Sequence, residues 1–361
     1  MNNKNNKEHR VLILQNEISS YNISTYNLIS NSESLTVGFF EKDKSSTECK
    51  FTKHKFKTIH LGPFVFIKGI RNYCEQFDVV CILPNLRYPS YCLLPFLPHK
   101  YKVVSWGIGF RCSYTHPYET DRKHSLLDKL YQKLLAKCDA NIFYMEKSKE
   151  FWKGTRLKME NVFVAPNTTD IVSIPIQSEI KKDFLFVGTL YKGKGLDILL
   201  ESFRSFKEKD KTNTALYIVG GGELEDELKT YVSENDLGET VFFTGPIYDE
   251  VILAKYFQRS LLCFSPTQAG LSVPKSLGYG VPFVTRRDAI TGGELYHITN
   301  GYNGILYSDN SELINIMSEA ISNRSKYLEM GRNAKEYYDN NATIYHKAKG
   351  ATDAFEFVLS H

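Results

Sequence analysis

The sequence predicts an α/β protein made of two doubly wound, Rossmann-like parallel-sheet domains. Short apolar strands alternate with amphipathic helices through both halves, the pattern that places helices on both faces of a parallel sheet. At 361 residues the chain is also too long for one ordinary core. The alternation breaks once, where Pro166 and Pro175 fall among polar residues, and a hinge is expected there.

Taken in order, residues 11–14, 35–39, 58–61, 78–83, 102–105, 141–144 and 161–165 read as strands of the first sheet. Between the last three, residues 125–137 carry Leu126, Leu127, Leu130, Leu134 and Leu135 on a helical stripe, which predicts core packing. A second series follows at 184–187, 215–219, 240–243, 261–264 and 281–284. From residue 312 the pattern turns helical, over 312–323, 327–339 and 344–359. The expected domains are 1–172 and 173–343, with any ligand cleft outside the carboxyl ends of the strands.

The composition is 42% hydrophobic and 24% charged, and no apolar run approaches the ~20 residues that cross a bilayer. Residues 1–10 are polar and lack the apolar core of a signal peptide, so a cytoplasmic protein is expected. Seven cysteines are scattered singly, which predicts reduced thiols rather than a disulfide framework or a metal site. A net charge of +4 argues against a dedicated nucleic-acid binder. Lys100, Lys102, Arg111, Arg122, Lys123, Lys129 and Lys133 nevertheless cluster in the first half, and weak attachment to an anionic membrane surface is expected from them.

Chemistry concentrates in the second half. The stretch Gly270-Leu271-Ser272-Val273-Pro274-Lys275 runs from a strand through a glycine loop into a short helix, an arrangement that turns free amides toward an anion. Upstream, Val187-Gly188-Thr189-Leu190 and Lys194-Gly195-Leu196-Asp197 form a second such loop. Then come Ile218-Val219-Gly220-Gly221-Gly222, Phe243-Thr244-Gly245 and Asn300-Gly301-Tyr302-Asn303-Gly304.

In that order these motifs resemble the donor-binding half of glycosyltransferase family 4, and Val164-Ala165-Pro166-Asn167-Thr168-Thr169-Asp170 resembles its interdomain junction. The resemblance covers residues 162–307. It implies the two-domain GT-B fold, with 344–361 returning to the N-terminal domain. It also implies transfer of a sugar from a nucleoside diphosphate, UDP or GDP most readily, to a saccharide or lipid-linked acceptor in bacterial surface-polysaccharide assembly. Retention of anomeric configuration and independence of any metal or other cofactor come with it, and so does a place on the inner face of the plasma membrane.

By the same resemblance Lys194 contacts the diphosphate, where fixed positive charge stabilises the leaving group. Gly188 admits the ligand, the amides of Leu271, Ser272 and Val273 donate to it, and Gly245 and Ile247 read the base. Glu294 is expected either on sugar or ribose hydroxyls or as a cap of the following helix. Two departures stand out. Thr189 occupies the place of an arginine and brings no charge. Thr267 and Lys275 occupy the places of the family's paired glutamates, leaving Gln268 as the neighbouring group for sugar hydroxyls and Lys275 as a candidate for phosphate. Lys275 sits in the first turn of its helix, where a cation is unfavourable unless an anion lies near.

On the acceptor side Arg87 and the run Trp106-Gly107-Ile108-Gly109-Phe110-Arg111 follow strands, with Ile108 where a related branch has histidine. Arg111 and His116 are the fallback candidates for acid–base or acceptor contacts. The missing carboxylates also leave open a non-catalytic, sugar-nucleotide-binding or scaffolding subunit with the same fold. A dinucleotide-dependent oxidoreductase is excluded, because no G-x-G-x-x-G follows the first strand.

Overall fold

The computed structural model describes residues 9–111, 124–174, 181–210 and 212–361. The chain divides into two compact units, one holding the described residues up to Asn167 together with Ile344–His361, the other Thr168–Thr343.

In the first unit the strands are β1 (Arg10–Leu14), β2 (Ser34–Phe39), β3 (Thr52–Lys55), β4 (Thr58–Leu61), β5 (Phe64–Ile67), β6 (Val79–Ile82), β7 (Lys102–Gly107), β8 (Ala140–Phe143) and β9 (Val162–Val164). Seven of them form a parallel sheet in the order β3-β2-β1-β6-β7-β8-β9. Residues Val11–Leu14 and Val79–Ile82 are fully buried, as central strands covered on both faces must be. The order reverses between β1 and β6, so a crevice opens at their carboxyl ends.

Helices α1 (Ile23–Ile29), α2 (Ile70–Cys74), α3 (Pro89–Cys92), α4 (Leu126–Leu135) and α5 (Lys147–Phe151) connect these strands. Two expectations are corrected here. Strand 58–61 pairs antiparallel with β5 in a separate hairpin, while the polar Thr52–Lys55 supplies the edge of the main sheet. An edge strand needs no apolar face, which is why it is silent in the pattern.

The leucine stripe is the second correction. Leu134 and Leu135 are buried, but Leu126, Leu127 and Leu130 are 83%, 47% and 51% exposed. What α4 turns inward instead is Asp128 and Tyr131. Asp128 closes a capping box with Ser125, accepting from its amide at 2.8 Å, and lies 3.8 Å from Arg111.

The second unit contains β10 (Asp183–Val187), β11 (Leu216–Val219), β12 (Val241–Gly245), β13 (Ser260–Phe264), β14 (Gln268–Ala269), β15 (Phe283–Arg286), β16 (Ile290–Thr291) and β17 (Gly304–Tyr307). Six make a parallel sheet, β12-β11-β10-β13-β15-β17, whose order reverses between β10 and β13. Its helices are α6 (Leu196–Lys209), α7 (Glu225–Glu234), α8 (Glu250–Arg259), α9 (Ser272–Gly278), α10 (Glu312–Ser322) and α11 (Arg324–Asn341). Two apolar cores sandwich the sheet, one of them built on Phe184, Phe186, Phe203 and Phe264, the other on Phe257, Val273, Leu277 and Phe283. Strand β17 pairs with β15 and was hidden in sequence by its turn-rich approach, Asn300–Asn303.

The last helix, α12 (Ile344–Ser360), packs on α1, β8 and β9 of the first unit. Its contact face holds Ala348, Ala351, Ala354 and Phe355. At Gly350 a Cβ would lie 2.0 Å from the Val164 carbonyl oxygen, so only glycine permits this approach. No helix among the described residues is long and apolar enough to cross a membrane.

Candidate functional site

The loops leaving β10 and β13 flank the point where the second sheet reverses, the position at which open α/β sheets receive ligands. Gly188 follows β10, donating its amide to Val219 O at 3.0 Å. The chain then makes a short 3₁₀ turn, Lys192–Lys194, and enters α6 through Gly195. The Lys194 side chain folds back over Gly188, since a Cβ built on that glycine would lie 3.5 Å from Lys194 Cε. Burial pushes the Lys194 ammonium down to about 8, an effect partly offset by the nearby Glu294 carboxylate. A cation desolvated in this way is poised to gain from an incoming anion.

The glycine run 220–222 serves the same loop. A Cβ on Gly220 would sit 1.8 Å from Gly188 O, and one on Gly222 would sit 2.3 Å from Leu190 O. These glycines let the loops after β10 and β11 lie against each other, and Leu190 N bonds Gly221 O at 3.0 Å.

From β13 the chain continues through Thr267, whose hydroxyl donates to Gly193 O at 2.8 Å and so ties the two loops together. Gln268 is buried, and its side-chain oxygen accepts from the hydroxyl of Tyr191. Its neighbour Ala269 pairs with Thr291 in the small β14–β16 ladder. That ladder brings Glu294 in. The Glu294 carboxylate is buried and turns back on its own loop, accepting from Gly292 N at 2.9 Å and Thr291 Oγ1 at 3.1 Å. It organises residues 291–294 and supplies negative charge toward Lys194.

Gly270, Leu271 and Ser272 lead into α9, but the amides there are fewer than expected. Val273 N already bonds Gly270 O at 2.9 Å, and Pro274 has no N–H. Among the described residues, the amides of Leu271 and Ser272 bond no loop or cap carbonyl and are left for a ligand. The Ser272 hydroxyl is buried with no hydrogen-bond partner among the described residues.

Lys275 is the clearest correction. Its ammonium donates to both oxygens of Glu250, at 2.6 and 2.8 Å. The anion that meets the Lys275 ammonium belongs to the protein and comes from the start of α8, and Lys275 stands in the last turn of the short α9, where a cation is favourable to the helix dipole. Gly245, in left-handed backbone, ends β12, Ile247 lies in the loop before α8, and the Tyr248 ring in that loop is 89% exposed. Thr189 lies in the turn between Gly188 and Leu190, so the place of the expected arginine brings only a hydroxyl to the loop.

Tyr191 and Glu250 were missed by sequence reasoning. Tyr191 stands among the quoted loop residues without a pattern of its own. Glu250 meets Lys275 only because α8 and α9 pack into one apolar cluster, Leu253 and Phe257 with Val273 and Leu277.

In the first unit the expected acceptor residues separate. Trp106 is buried at the end of β7. Gly107 abuts Pro84. The carbonyls of Ile108 and Gly109 are held by Ser148 Oγ at 2.5 Å and Trp152 Nε1 at 2.6 Å, so this loop is fixed by α5 and the turn after it. Arg111 is engaged by Asp128. Arg87 lies on an exposed loop, its Nε donating to Pro63 O at 3.4 Å. His116 lies outside the described residues, as do Arg122 and Lys123.

Residues 169–337 match the family described as Glycosyl transferases group 1. An uncharacterized glycosyltransferase of Haemophilus influenzae is 26% identical over 199 residues, 54% of this chain and 54% of its own length. One from Methanocaldococcus jannaschii is 28% identical over 201 residues, 53% of this chain and 50% of that one. The chain thus spans about half the length of these relatives. The crystal structure of Anabaena HepE in complex with UDP superposes with a TM-score of 0.69 at 15% identity, covering 96% of this chain and 99% of that one. At that identity the likeness is one of fold, and the fold is GT-B, two Rossmann-like domains.

Proposed function

We propose that this chain, whose residues 169–337 form a glycosyl transferases group 1 domain, is a glycosyltransferase that moves a sugar from a nucleoside diphosphate to a saccharide or lipid-linked acceptor. The observation that carries the reading is Lys194, half-buried over Gly188 where the second sheet reverses. Breaking the bond between sugar and diphosphate leaves negative charge on the departing phosphate. A cation and two amides fixed in advance, Lys194 with Leu271 N and Ser272 N, stabilise that charge without reorganisation.

Around this centre Thr267, Gln268 and Tyr191 offer hydroxyl and amide groups to the sugar. The 245–248 loop receives the base, with the exposed Tyr248 ring available to stack on it. UDP is the first donor to test, since HepE was crystallised with it. The reaction is proposed to retain anomeric configuration and to use no metal, in bacterial surface-polysaccharide synthesis. Exposed Leu126, Leu127 and Leu130 beside Lys129 and Lys133 would hold the first unit against an anionic membrane surface.

The second reading, a non-catalytic nucleotide-sugar-binding subunit, is favoured by one observation. Thr267 and Lys275, at the places of two expected carboxylates, are both engaged within the protein. A thermal-shift screen of UDP, GDP, ADP and dTDP sugars tests the shared premise, because saturation at one hundred times Kd adds about 2.7 kcal/mol of stability. A donor that stabilises the protein without being turned over, with acceptor-bearing membranes present, selects the second reading. No stabilisation by any of them removes both.

A further inference from the structure

We infer that the outer face of the β4–β5 hairpin is a docking surface for an anionic lipid bilayer, entered by Leu61 and Phe64 and held by Lys57 and Lys68. The two strands pair Ile59 with Phe66, His60 with Val65 and Leu61 with Phe64. Opposed residues of an antiparallel pair share a face, and the faces alternate along each strand. Val65 and Ile67 are buried on the inner face, where the hairpin packs on α3. The outer face is therefore Ile59, Leu61, Phe64 and Phe66, and the first three are 52%, 67% and 43% exposed.

An antiparallel pair with one face on the core ordinarily turns polar residues to water, and here the uncovered face is apolar instead. Such a contiguous patch marks a surface that meets something apolar. Addition of a further strand to β5 is not its use. Val65 N bonds Arg87 O and Ile67 N bonds Ser90 Oγ, each at 2.9 Å, so residues 87–90 already close that edge. Arg87 Nε also reaches Pro63 O at 3.4 Å, which braces the tip from behind.

Charge selects the partner. From residue 49 to 74, and again from 79 to 111, the sequence contains no aspartate or glutamate. Lys57 and Lys68 stand at the open end of the hairpin, where Lys68 N bonds Lys57 O at 2.9 Å. Both are exposed, and neither side chain has an acidic partner among the described residues. A second copy packed face to face would surround the contact with like charges. An anionic bilayer offers acyl chains to the apolar side chains and phosphates to the lysines, with Leu61-Gly62-Pro63-Phe64 entering only as far as the boundary between headgroups and chains.

This face is distinct from the α4 leucines, and the inference does not depend on sugar transfer. In the transferase reading it would bring the first unit to a lipid-linked acceptor, and that assignment alone rests on that reading.

Leu61→Trp reports entry directly, because Trp106 and Trp152 are both buried. With vesicles of phosphatidylglycerol and phosphatidylcholine its emission is expected to shift to the blue and to be quenched by brominated acyl chains. With phosphatidylcholine alone it should stay in place. Lys57→Glu with Lys68→Glu should weaken binding to the anionic vesicles about tenfold or more, and Leu61→Asp with Phe64→Asp should do the same. Thermal unfolding of both double variants should match wild type, since all four side chains face solvent.

Emission of Leu61→Trp that anionic vesicles leave unmoved overturns the inference, and if the protein still sediments with them the attachment belongs to α4. Self-association without lipid that Leu61→Asp with Phe64→Asp abolishes assigns the face to a second copy and overturns it equally. Every reading is taken without nucleotide, so failure of the donor screen leaves this surface standing and failure here leaves the donor site standing.

Discussion

Lys275 of α9 and Glu250 of α8 form a two-point ion pair, with both carboxylate oxygens within 2.8 Å of the ammonium. Lys275 is 13% exposed and Glu250 39%, so the pair is neither fully buried nor freely solvated. It ties the last turn of α9 to the first turn of α8.

Reversing one charge should be more harmful than removing it. Lys275→Glu places two carboxylates together and is expected to destabilise the second unit by about 1–2 kcal/mol, while the double exchange Lys275→Glu with Glu250→Lys regains most of that. Urea unfolding of the single and double variants measures it. If Lys275→Glu is as stable as wild type, the pair does not hold the helices. The double exchange should bind UDP within about twofold of wild type, because Lys275 spends its charge on Glu250.

Lys194 sets a pH dependence. Its ammonium ionises at about 8 in the free protein, depressed by burial, and a bound diphosphate favours the charged form. Below about pH 8 the group is already charged and affinity is flat. Above it, binding must take up a proton, so affinity falls by up to about tenfold per pH unit. Lys181, which donates to Gly280 O, is also pushed down to about 8 by burial, so the variant decides the assignment. Calorimetric titration of UDP between pH 7 and 9.5 should show the fall in wild type and a flat profile in Lys194→Met. A fall that survives the substitution assigns it elsewhere.

The glycines around the site are not equivalent. Gly220→Ala and Gly222→Ala drive a methyl into the Gly188 and Leu190 backbones and should cost at least about 2 kcal/mol each. Gly188→Ala meets only the Phe186 ring and Lys194 Cε at ordinary contact distances, so it should fold nearly as well as wild type while disturbing Lys194. Thermal unfolding of the three variants orders them. Equal losses at all three would mean that the close approach of the two loops is wrong.

Parallel strands were legible because burial on both faces writes itself as uninterrupted apolar runs such as Val11–Leu14 and Phe184–Val187. The edge strand Thr52–Lys55 and the antiparallel pairing of Thr58–Leu61 with Phe64–Ile67 were not, since neither depends on such a run. At the site, the loops that hold Gly188, Lys194 and Gly270 were readable from their order. The partners of Lys275, Gln268 and Asp128 were not, because each is set by which helix or loop the topology brings alongside. The stripe in α4 shows the limit of periodicity: a capping box turned Asp128 inward and left three leucines outside.

Those leucines make membrane attachment testable. Vesicles containing anionic lipid should sediment part of the protein at low salt, and Leu127→Asp with Leu130→Asp should release it. Each basic residue near the surface contributes about 1 kcal/mol, so raising the salt should also release the wild type. Protein wholly in solution with such vesicles at low salt would exclude the attachment.

Release of nucleoside diphosphate from a panel of UDP, GDP, ADP and dTDP sugars, with acceptor-bearing membranes present, tests the transferase assignment most directly. Wild-type protein is expected to release diphosphate from at least one donor, and Lys194→Met to do so more slowly by a factor of roughly 10² to 10³, the scale of one preorganised electrostatic contact. No release from any donor, or an undiminished rate in a folded Lys194→Met variant, would contradict the assignment of sugar transfer to this site.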